Sequence, residues 1–198
     1  KMSFPRIIFF LVLLAFARSD PVERNTEAIC QFFQHVRAFQ ADWWEDSVIL
    51  MKRMLEEMVN ALEPYIEYAE YRKTMQDYLE HGKTIVTSSR LEDKMAFVQG
   101  FNEHGDQPTL VGSPSKRQAL TRPLNHFQSN MISKVFTEFH KKLIKAADDL
   151  ERVVRFPDNS ARGELFGLLE QYRASGIGSM TEEIASRILA LKDNYQCA

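Results

Sequence analysis

The sequence predicts an all-α fold: a single-domain, up-and-down bundle of six or seven helices, two of them long, with its ends joined by one disulfide. Apolar residues recur at three- and four-residue steps over most of the chain, which is the period of an amphipathic helix. Only 8 Gly and 7 Pro interrupt the 198 residues, of which 44% are apolar. The best strand candidate, Thr84–Val86, is too short to stand alone.

The pattern of the first 19 residues predicts an export signal that is not part of the fold. Residues 2–6 contain one basic side chain, and eleven uninterrupted apolar residues follow, Ile7–Ala17, which is the layout of a secretory signal peptide. A membrane-spanning helix needs about 20 apolar residues, so we expect no stable membrane anchor. Small side chains allow cleavage after Ala17 or after Ser19. We therefore expect residues 1–19 to be removed and residues 20–198 to form a secreted, extracellular helical domain.

The charge balance argues against broad electrostatic binding to nucleic acid. The chain has 25 basic and 27 acidic residues, a net charge of −2. Three of the basic residues lie in the predicted signal, so the exported chain carries a net charge of about −5. A protein that grips nucleic-acid phosphates needs a basic surface. We expect no nucleic-acid partner.

Both cysteines, Cys30 and Cys197, belong to the predicted exported chain. Export passes through an oxidising compartment, where an even number of cysteines favours pairing. We predict an intramolecular disulfide that joins the first helix to the last few residues. Two free thiols and an intermolecular bridge are the alternatives.

Two helical stretches are predicted before the first interior proline. The first begins near Thr26 and has one apolar face. That face consists of Ile29, Phe32, Phe33, Val36 and Phe39. The second begins with a capping box formed by Asp42 and Glu45, after which apolar residues repeat every seven positions. These positions are Trp44, Val48, Met51, Leu55, Met58, Leu62 and Tyr65.

Pro64 interrupts the second stretch. Because proline lacks the amide hydrogen that bonds back along a helix, the helix must kink there or a new one must begin. The apolar face continues as far as His81–Gly82, which favours a bent pair of helices. A capping box of Ser89 and Glu92 then opens a shorter helix that extends to Phe101.

Residues 104–122 predict a long flexible loop, because they contain two Gly and two Pro and show no sustained period. The dibasic pair Lys116–Arg117 within it is a position where a processing protease could cut; the alternative is an ordinary mobile loop with two charges. Beyond Pro123 a long helix is predicted over residues 125–156. Pro157 ends it.

Two shorter helices complete the prediction. One covers Ser160–Tyr172, and a turn at Gly176–Gly178 leads into the last helix. Ser179 and Glu182 form the capping box of that helix. Its inward positions are Ile184, Ile188 and Leu191.

The sequence contains no recognisable motif for metal binding or catalysis. The five histidines never pair at i, i+3 or i+4, and neither HExxH nor Glu-x-x-His occurs. Ser113 lacks the second glycine of a nucleophile elbow, and Gly176-Ile-Gly178-Ser lacks the lysine of a phosphate loop. We predict a protein that is not an enzyme and has no catalytic residue, cofactor or metal.

Large, adaptable apolar side chains are abundant, with 14 Phe, 6 Tyr and 2 Trp in the chain. Such side chains either fill a plain core or line a cavity for a lipid or another small hydrophobic ligand. The residues predicted to line such a cavity are Phe32, Phe33, Trp44, Met51, Met58, Phe136 and Phe139. Trp43 and Trp44 are adjacent on one helix, so one of them is expected at a boundary of the core.

These features predict a class of function. A secreted helical protein without catalytic motifs is expected to act through its surface on an unknown extracellular protein, as an effector or modulator. The alternative is an extracellular carrier of a lipid or other small hydrophobic ligand held between the helices. The first class requires a filled core and an exposed apolar patch; the second requires a void lined by Phe and Met. The oligomeric state stays open.

Overall fold

The structure, a computed structural model, describes residues 21–101, 114–154, 163–176, 179–195 and 197. Every regular element in these ranges is helical and none is a strand, so the predicted all-α class is confirmed. The α-helices of this part are α1 (Pro21–Leu62), α2 (Ala69–Thr84), α3 (Leu91–Gln99), α4 (Pro114–Asn130), α5 (Thr137–Val153), α6 (Gly163–Ser175) and α7 (Ser179–Ala190). A π-helical segment, Met131–Phe136, joins α4 to α5 without a break, and 3-10 turns occupy Ile66–Tyr68 and Leu191–Tyr195.

A single helix, α1, replaces the two that the sequence predicted before Pro64. It continues for 42 residues through both members of the predicted capping box, Asp42 and Glu45. That prediction is wrong because these carboxylates accept hydrogen bonds from side chains of other helices. Lys142 donates to Asp42 over 2.8 Å, and Lys94 donates to Glu45.

The chain turns at Pro64, as predicted. α1 ends two residues earlier, and Tyr65 has an extended backbone with φ −111° and ψ 98°. The 3-10 turn then leads into α2, which runs back along α1 and places the carbonyl of Ile85 2.6 Å from Lys52. The two helices therefore form an antiparallel hairpin, because their apolar faces pack on each other, and the predicted bent pair is wrong. α2 ends at Thr84, just beyond the predicted end at His81–Gly82.

The start of α3 differs by one residue from the prediction. Arg90, not Ser89, is its N-cap, and the helix begins at Leu91. The Ser89 hydroxyl instead accepts a hydrogen bond of 2.9 Å from the amide of Val86. Ser89 therefore stabilises the turn that precedes the helix.

The sequence predicted a loop over residues 104–122. For residues 114–122 this prediction is wrong, because they are helical. Pro114 occupies the first position of α4, where a missing amide hydrogen costs nothing because no helical acceptor precedes it. The pair Lys116–Arg117 therefore belongs to a helix. Residues 104–113 lie outside the described residues.

The helix predicted over residues 125–156 is part of a longer helical run. Pro123, expected to precede it, lies buried inside α4. The π-helical segment shifts the hydrogen-bond register, and there the Thr137 hydroxyl donates to the carbonyl of Ile132, five residues back, over 2.8 Å. Such a segment accommodates one extra residue without ending the helix.

Three further predicted features lie outside the described residues. They are the signal peptide with its two cleavage positions (1–19), the proline stop and the start of the following helix (155–162), and the end of the glycine turn (177–178). α6, predicted over Ser160–Tyr172, is described from Gly163 to Ser175.

The chain divides into two compact units. Of the described residues, unit 1 comprises those up to Arg37 and those from Leu143 onward, and unit 2 comprises those between Ala38 and Lys142. The boundaries fall within α1 and α5, so each of these helices contributes to both units. Each unit buries its own set of apolar side chains.

Unit 1 buries apolar side chains from α1, α5, α6 and α7. Those with at most 1% exposure are Phe33, Val36, Leu143, Ala147, Leu165, Leu168, Leu169, Tyr172 and Ile188. Arg173 on α6 donates to Asp148 and Glu151 on α5 over 2.7 Å and 2.8 Å. The predicted inward positions of α7 and the turn after it, Ile184, Ile188 and Leu191, are all buried.

Unit 2 is built on the seven-residue stripe of α1. Its core cluster contains Val48, Met51, Met54, Leu55, Met58, Met75, Tyr78, Leu79, Ile85 and Phe97. The rings of Tyr78 and Phe97 stack with centroids 5.1 Å apart, and the Tyr78 hydroxyl donates to the carbonyl of Phe97. These contacts fix α2 against α3.

Gly82 allows the close approach of α2 and α3. A Cβ at this position would lie 2.7 Å from Cε2 of the buried Phe97 ring. We expect Gly82→Ala to lower the free energy of unfolding by about 1–2 kcal/mol, because overpacking outweighs the gain of helix propensity. Urea denaturation measures the change.

Gly167 is the matched control for this substitution. It lies in α6, and a Cβ there would meet nothing within 4 Å. Gly167→Ala should raise the free energy of unfolding by up to about 1 kcal/mol. Changes of the same sign at both glycines would contradict the packing described for Gly82.

Candidate functional site

The predicted disulfide is present between Cys30 and Cys197. Their Cα atoms lie 5.2 Å apart and 167 positions apart in the chain. Beside the bond, the ring of Phe33 on α1 lies 5.7 Å from that of Tyr195 in the C-terminal 3-10 turn. Covalent and ring contacts thus attach the end of the chain to α1.

The seven residues predicted to line a ligand cavity lie in the packed interiors of the two units. Phe32 and Phe33 belong to unit 1, and the other five belong to unit 2. All are buried except Phe136, which is half-buried. None of them lines either of the two clefts presented below. Their role in ligand binding stays a prediction.

Trp43 and Trp44 differ in burial, as the sequence predicted. Trp44 is buried and Trp43 is half-buried, with their rings stacked 5.1 Å apart. Trp43 also packs against Phe136 and Phe139 at centroid distances of 5.4 Å and 5.3 Å. Trp43 therefore forms the edge of an aromatic cluster between α1 and the start of α5.

Within the described ranges, no three or more His, Cys, Asp or Glu side chains converge on a position for a metal ion. The helices in those ranges also include none with the length and apolar character needed to cross a bilayer. Ser113, considered above as a nucleophile, lies outside them.

Four polar residues hold the segment between α2 and α3 against α1; we call them the polar clamp (Glu45, Lys52, Thr87 and Lys94). Lys94, only 7% exposed, donates to the Glu45 carboxylate and to the Thr87 carbonyl. The Thr87 hydroxyl donates to Glu45 over 2.9 Å, and Lys52 donates to the Ile85 carbonyl over 2.6 Å. The sequence offers no local signal for these contacts.

Glu45 is the anion of the polar clamp, so its removal leaves Lys94 buried without a counter-charge. We expect Glu45→Ala to lower the free energy of unfolding by about 2 kcal/mol, because an uncompensated buried charge is costly. The double variant Glu45→Ala/Lys94→Met should be more stable than the single variant. A double variant less stable than Glu45→Ala would contradict this account.

The polar clamp also predicts a pH dependence. The hydrogen bond from Lys94 lowers the pKa of Glu45 below its ordinary value. A carboxylate with a lowered folded-state pKa contributes stability above its unfolded-state value of about 4.3, and this contribution is lost as the pH falls through the folded-state pKa. Glu45→Gln should therefore flatten the acid side of the stability profile, as measured by urea titration at several pH values.

Two exposed apolar side chains flank the polar clamp, Ile49 on α1 and Val86 in the clamped segment; we call them the Ile49–Val86 patch. Ile49 is 47% exposed and Val86 is 52% exposed. Ile49 lies one helical turn from Glu45 and from Lys52, the α1 residues that hold Thr87 and Ile85. The clamp thus presents both apolar side chains in one region of unit 2.

Two clefts in unit 2 are formed by described residues. The α2–α3 cleft has a volume of about 460 Å³ and is lined by Thr74, Asp77, Tyr78, His81, Ala96, Phe97 and Gly100. The α1–α4 cleft has a volume of about 490 Å³ and is lined by Glu57, Asn60, Ala61, Ser115, Gln118, Ala119, Arg122, Pro123 and His126. In the α1–α4 cleft, Nδ1 of His126 lies 3.2 Å from Oε2 of Glu57, so these two side chains are partners of each other.

No protein-family model, curated protein or solved structure matches this chain.

Proposed function

We propose that this chain is a secreted, non-enzymatic protein that binds an extracellular protein partner through its helical surface and acts as an effector or modulator. The observation that supports it best is the Ile49–Val86 patch. The segment that carries Val86 is held against α1, beside Ile49, by hydrogen bonds and a partly buried ion pair. Apolar surface that is already ordered loses water on association at little further entropic cost.

The packing of the aromatic and methionine side chains favours surface binding over transport. Phe33 and Met58 have no exposed surface, and the other residues predicted to line a cavity are buried or half-buried. A carrier would use such side chains to surround a ligand-sized space. Transport of a small hydrophobic ligand is therefore the second candidate.

We also infer that the two longest helical runs, α1 and α4–α5, pack antiparallel in an up-and-down arrangement. Lys142 is 2.8 Å from Asp42, and His126 is 3.2 Å from Glu57. Residue numbers thus increase along α1 as they decrease along the facing run. This order is typical of an up-and-down bundle.

Export is part of the proposed function. The apolar segment Ile7–Ala17 has the layout of a cleaved signal, and the Cys30–Cys197 disulfide suits an oxidising compartment. The mature protein would begin after residue 17 or 19 and carry out its role outside the cell.

The test expresses the full chain in a secreting cell and cross-links it to its neighbours in the medium. Ile49→Ser/Val86→Ser alters the patch, and Ile132→Ser/Val153→Ser is the matched control because those residues are similarly exposed, 57% and 61%. We expect the patch variant to lose its cross-linked polypeptide and the control to retain it. Equal capture by both variants would refute the assigned surface, and retention of the chain inside the cell would refute export.

A further inference from the structure

The α2–α3 cleft has a rigid aromatic floor. Tyr78 and Phe97 are both buried, their rings stack, and the hydroxyl of Tyr78 is committed to the carbonyl of Phe97. The ring of His81 lies 6.3 Å from that of Tyr78 and 6.1 Å from that of Phe97. The floor is therefore formed before any ligand arrives.

The opposite wall is open because its residues are small. Ala96 and Gly100 lie one turn apart at the end of α3. A Cβ at Gly100 would approach the carbonyl oxygen of Ala96 to 2.8 Å and the hydroxyl of Tyr78 to 3.2 Å. Glycine thus lets the end of α3 pack closely against the hydroxyl of Tyr78.

The polar groups that remain in the cleft are mainly hydrogen-bond acceptors. Asp77 and His81 lie one turn apart on α2, and among the described residues neither side chain has a hydrogen-bond or ion-pair partner; the backbone carbonyl of His81 accepts from the hydroxyl of Thr84. The hydroxyl of Thr74 already donates to the carbonyl of Glu70 over 3.2 Å, so it faces other groups as an acceptor. Of the described residues that line the cleft, Asp77 is the one Asp, Glu, Lys or Arg.

From this geometry we propose that the α2–α3 cleft binds a small organic amine with an apolar body. The ammonium group would donate to the exposed carboxylate of Asp77, a charge-assisted hydrogen bond, while the apolar body covers Ala96 and His81, the exposed lining residues beside the buried rings. The volume of about 460 Å³ lies in the usual range for small-ligand sites. Amine binding here is independent of the partner surface proposed above.

Other ligand classes fit the cleft less well. A carboxylate or phosphate would be repelled by Asp77, for which no described cation provides compensation. A neutral apolar molecule would displace water from the carboxylate of Asp77 without giving it a new hydrogen-bond donor, which costs free energy. The positive charge on the ligand is therefore the feature that the cleft selects.

The test titrates the full-length protein with phenethylamine and follows its backbone amide signals by NMR. Phenethyl alcohol and hydrocinnamate, which are similar in shape but neutral and anionic, are the matched probes. We expect phenethylamine to shift the signals of residues 74–81 and 96–100. The alcohol should bind with an affinity at least about tenfold lower. Hydrocinnamate should not bind.

Substitutions then separate charge from shape. Asp77→Asn should weaken phenethylamine binding about tenfold, whereas Asp46→Asn, which removes an exposed carboxylate outside the cleft, should not. Ala96→Leu should block every probe by filling the cleft while the circular dichroism stays unchanged. Equal binding of the alcohol, an unaffected Asp77→Asn variant, no shifts, or shifts confined to other residues would overturn the proposal. Tighter binding of a blocked lysine amide than of phenethylamine would also overturn it, in favour of a protein side chain.

Discussion

Replacing both Cys30 and Cys197 with serine is expected to lower the free energy of unfolding by about 4–5 kcal/mol. The bond joins residues 167 positions apart, and in the chain-entropy model a loop of this length contributes about 5 kcal/mol. Because folded domains are stable by only about 5–15 kcal/mol, this is a large fraction of the total. The contact between Phe33 and Tyr195 should loosen in the same variant.

Guanidinium denaturation, followed by far-ultraviolet circular dichroism, measures this effect. The matched control is the wild-type protein under reducing conditions, which should unfold at the midpoint of the serine variant. The serine variant itself should not respond to the reductant. An unchanged midpoint after both treatments would show that the disulfide contributes little to folding.

Leu55→Asp is expected to destabilise unit 2 by more than about 4 kcal/mol. Leu55 has 0% exposure and packs in the core cluster of α1, α2 and α3. A carboxylate there must either be desolvated or become protonated, and the leucine contacts are lost as well. We expect a marked loss of helical circular dichroism at room temperature.

Ile49→Asp is the control for that experiment, because Ile49 lies on the same helix but is 47% exposed. Its free energy of unfolding should change by less than about 1 kcal/mol. The helicity should therefore be lost in one variant and kept in the other. Full helicity of Leu55→Asp would contradict the placement of the seven-residue stripe in the interior.

The parts of the fold that were predictable depend on local patterns. The stripe from Val48 to Leu62 repeats every seven residues, and its members are buried as the period requires. Pro64 marks a turn because the absence of its amide hydrogen acts within a few residues. The two cysteines leave one internal pairing, which the structure contains.

Long-range contacts explain the predictions that were wrong. Asp42 and Glu45 match a capping box by spacing, but they pair with Lys142 and Lys94, 100 and 49 positions away. Spacing along the chain carries no information about such partners. The first turns of α4 likewise lack a clear apolar period, although Leu124 and Phe127 further along the same helix pack against the core of unit 2.

The α2–α3 cleft was missed for a related reason. Asp77 and His81 are four residues apart, but this spacing matches no metal-binding or catalytic motif. The cleft also needs Ala96 and Gly100, which reach it only because Gly82 lets α3 approach α2. Small residues of this kind have no distinctive sequence signal.

Native mass spectrometry of the protein purified from the medium of secreting cells tests the central claim most directly. We expect a chain without its first 17 or 19 residues, with the Cys30–Cys197 bond intact, in complex with a second polypeptide. The complex should be absent for Ile49→Ser/Val86→Ser and present for the control variant. A mature chain that carries only a lipid-sized mass would contradict surface binding and identify the protein as a carrier.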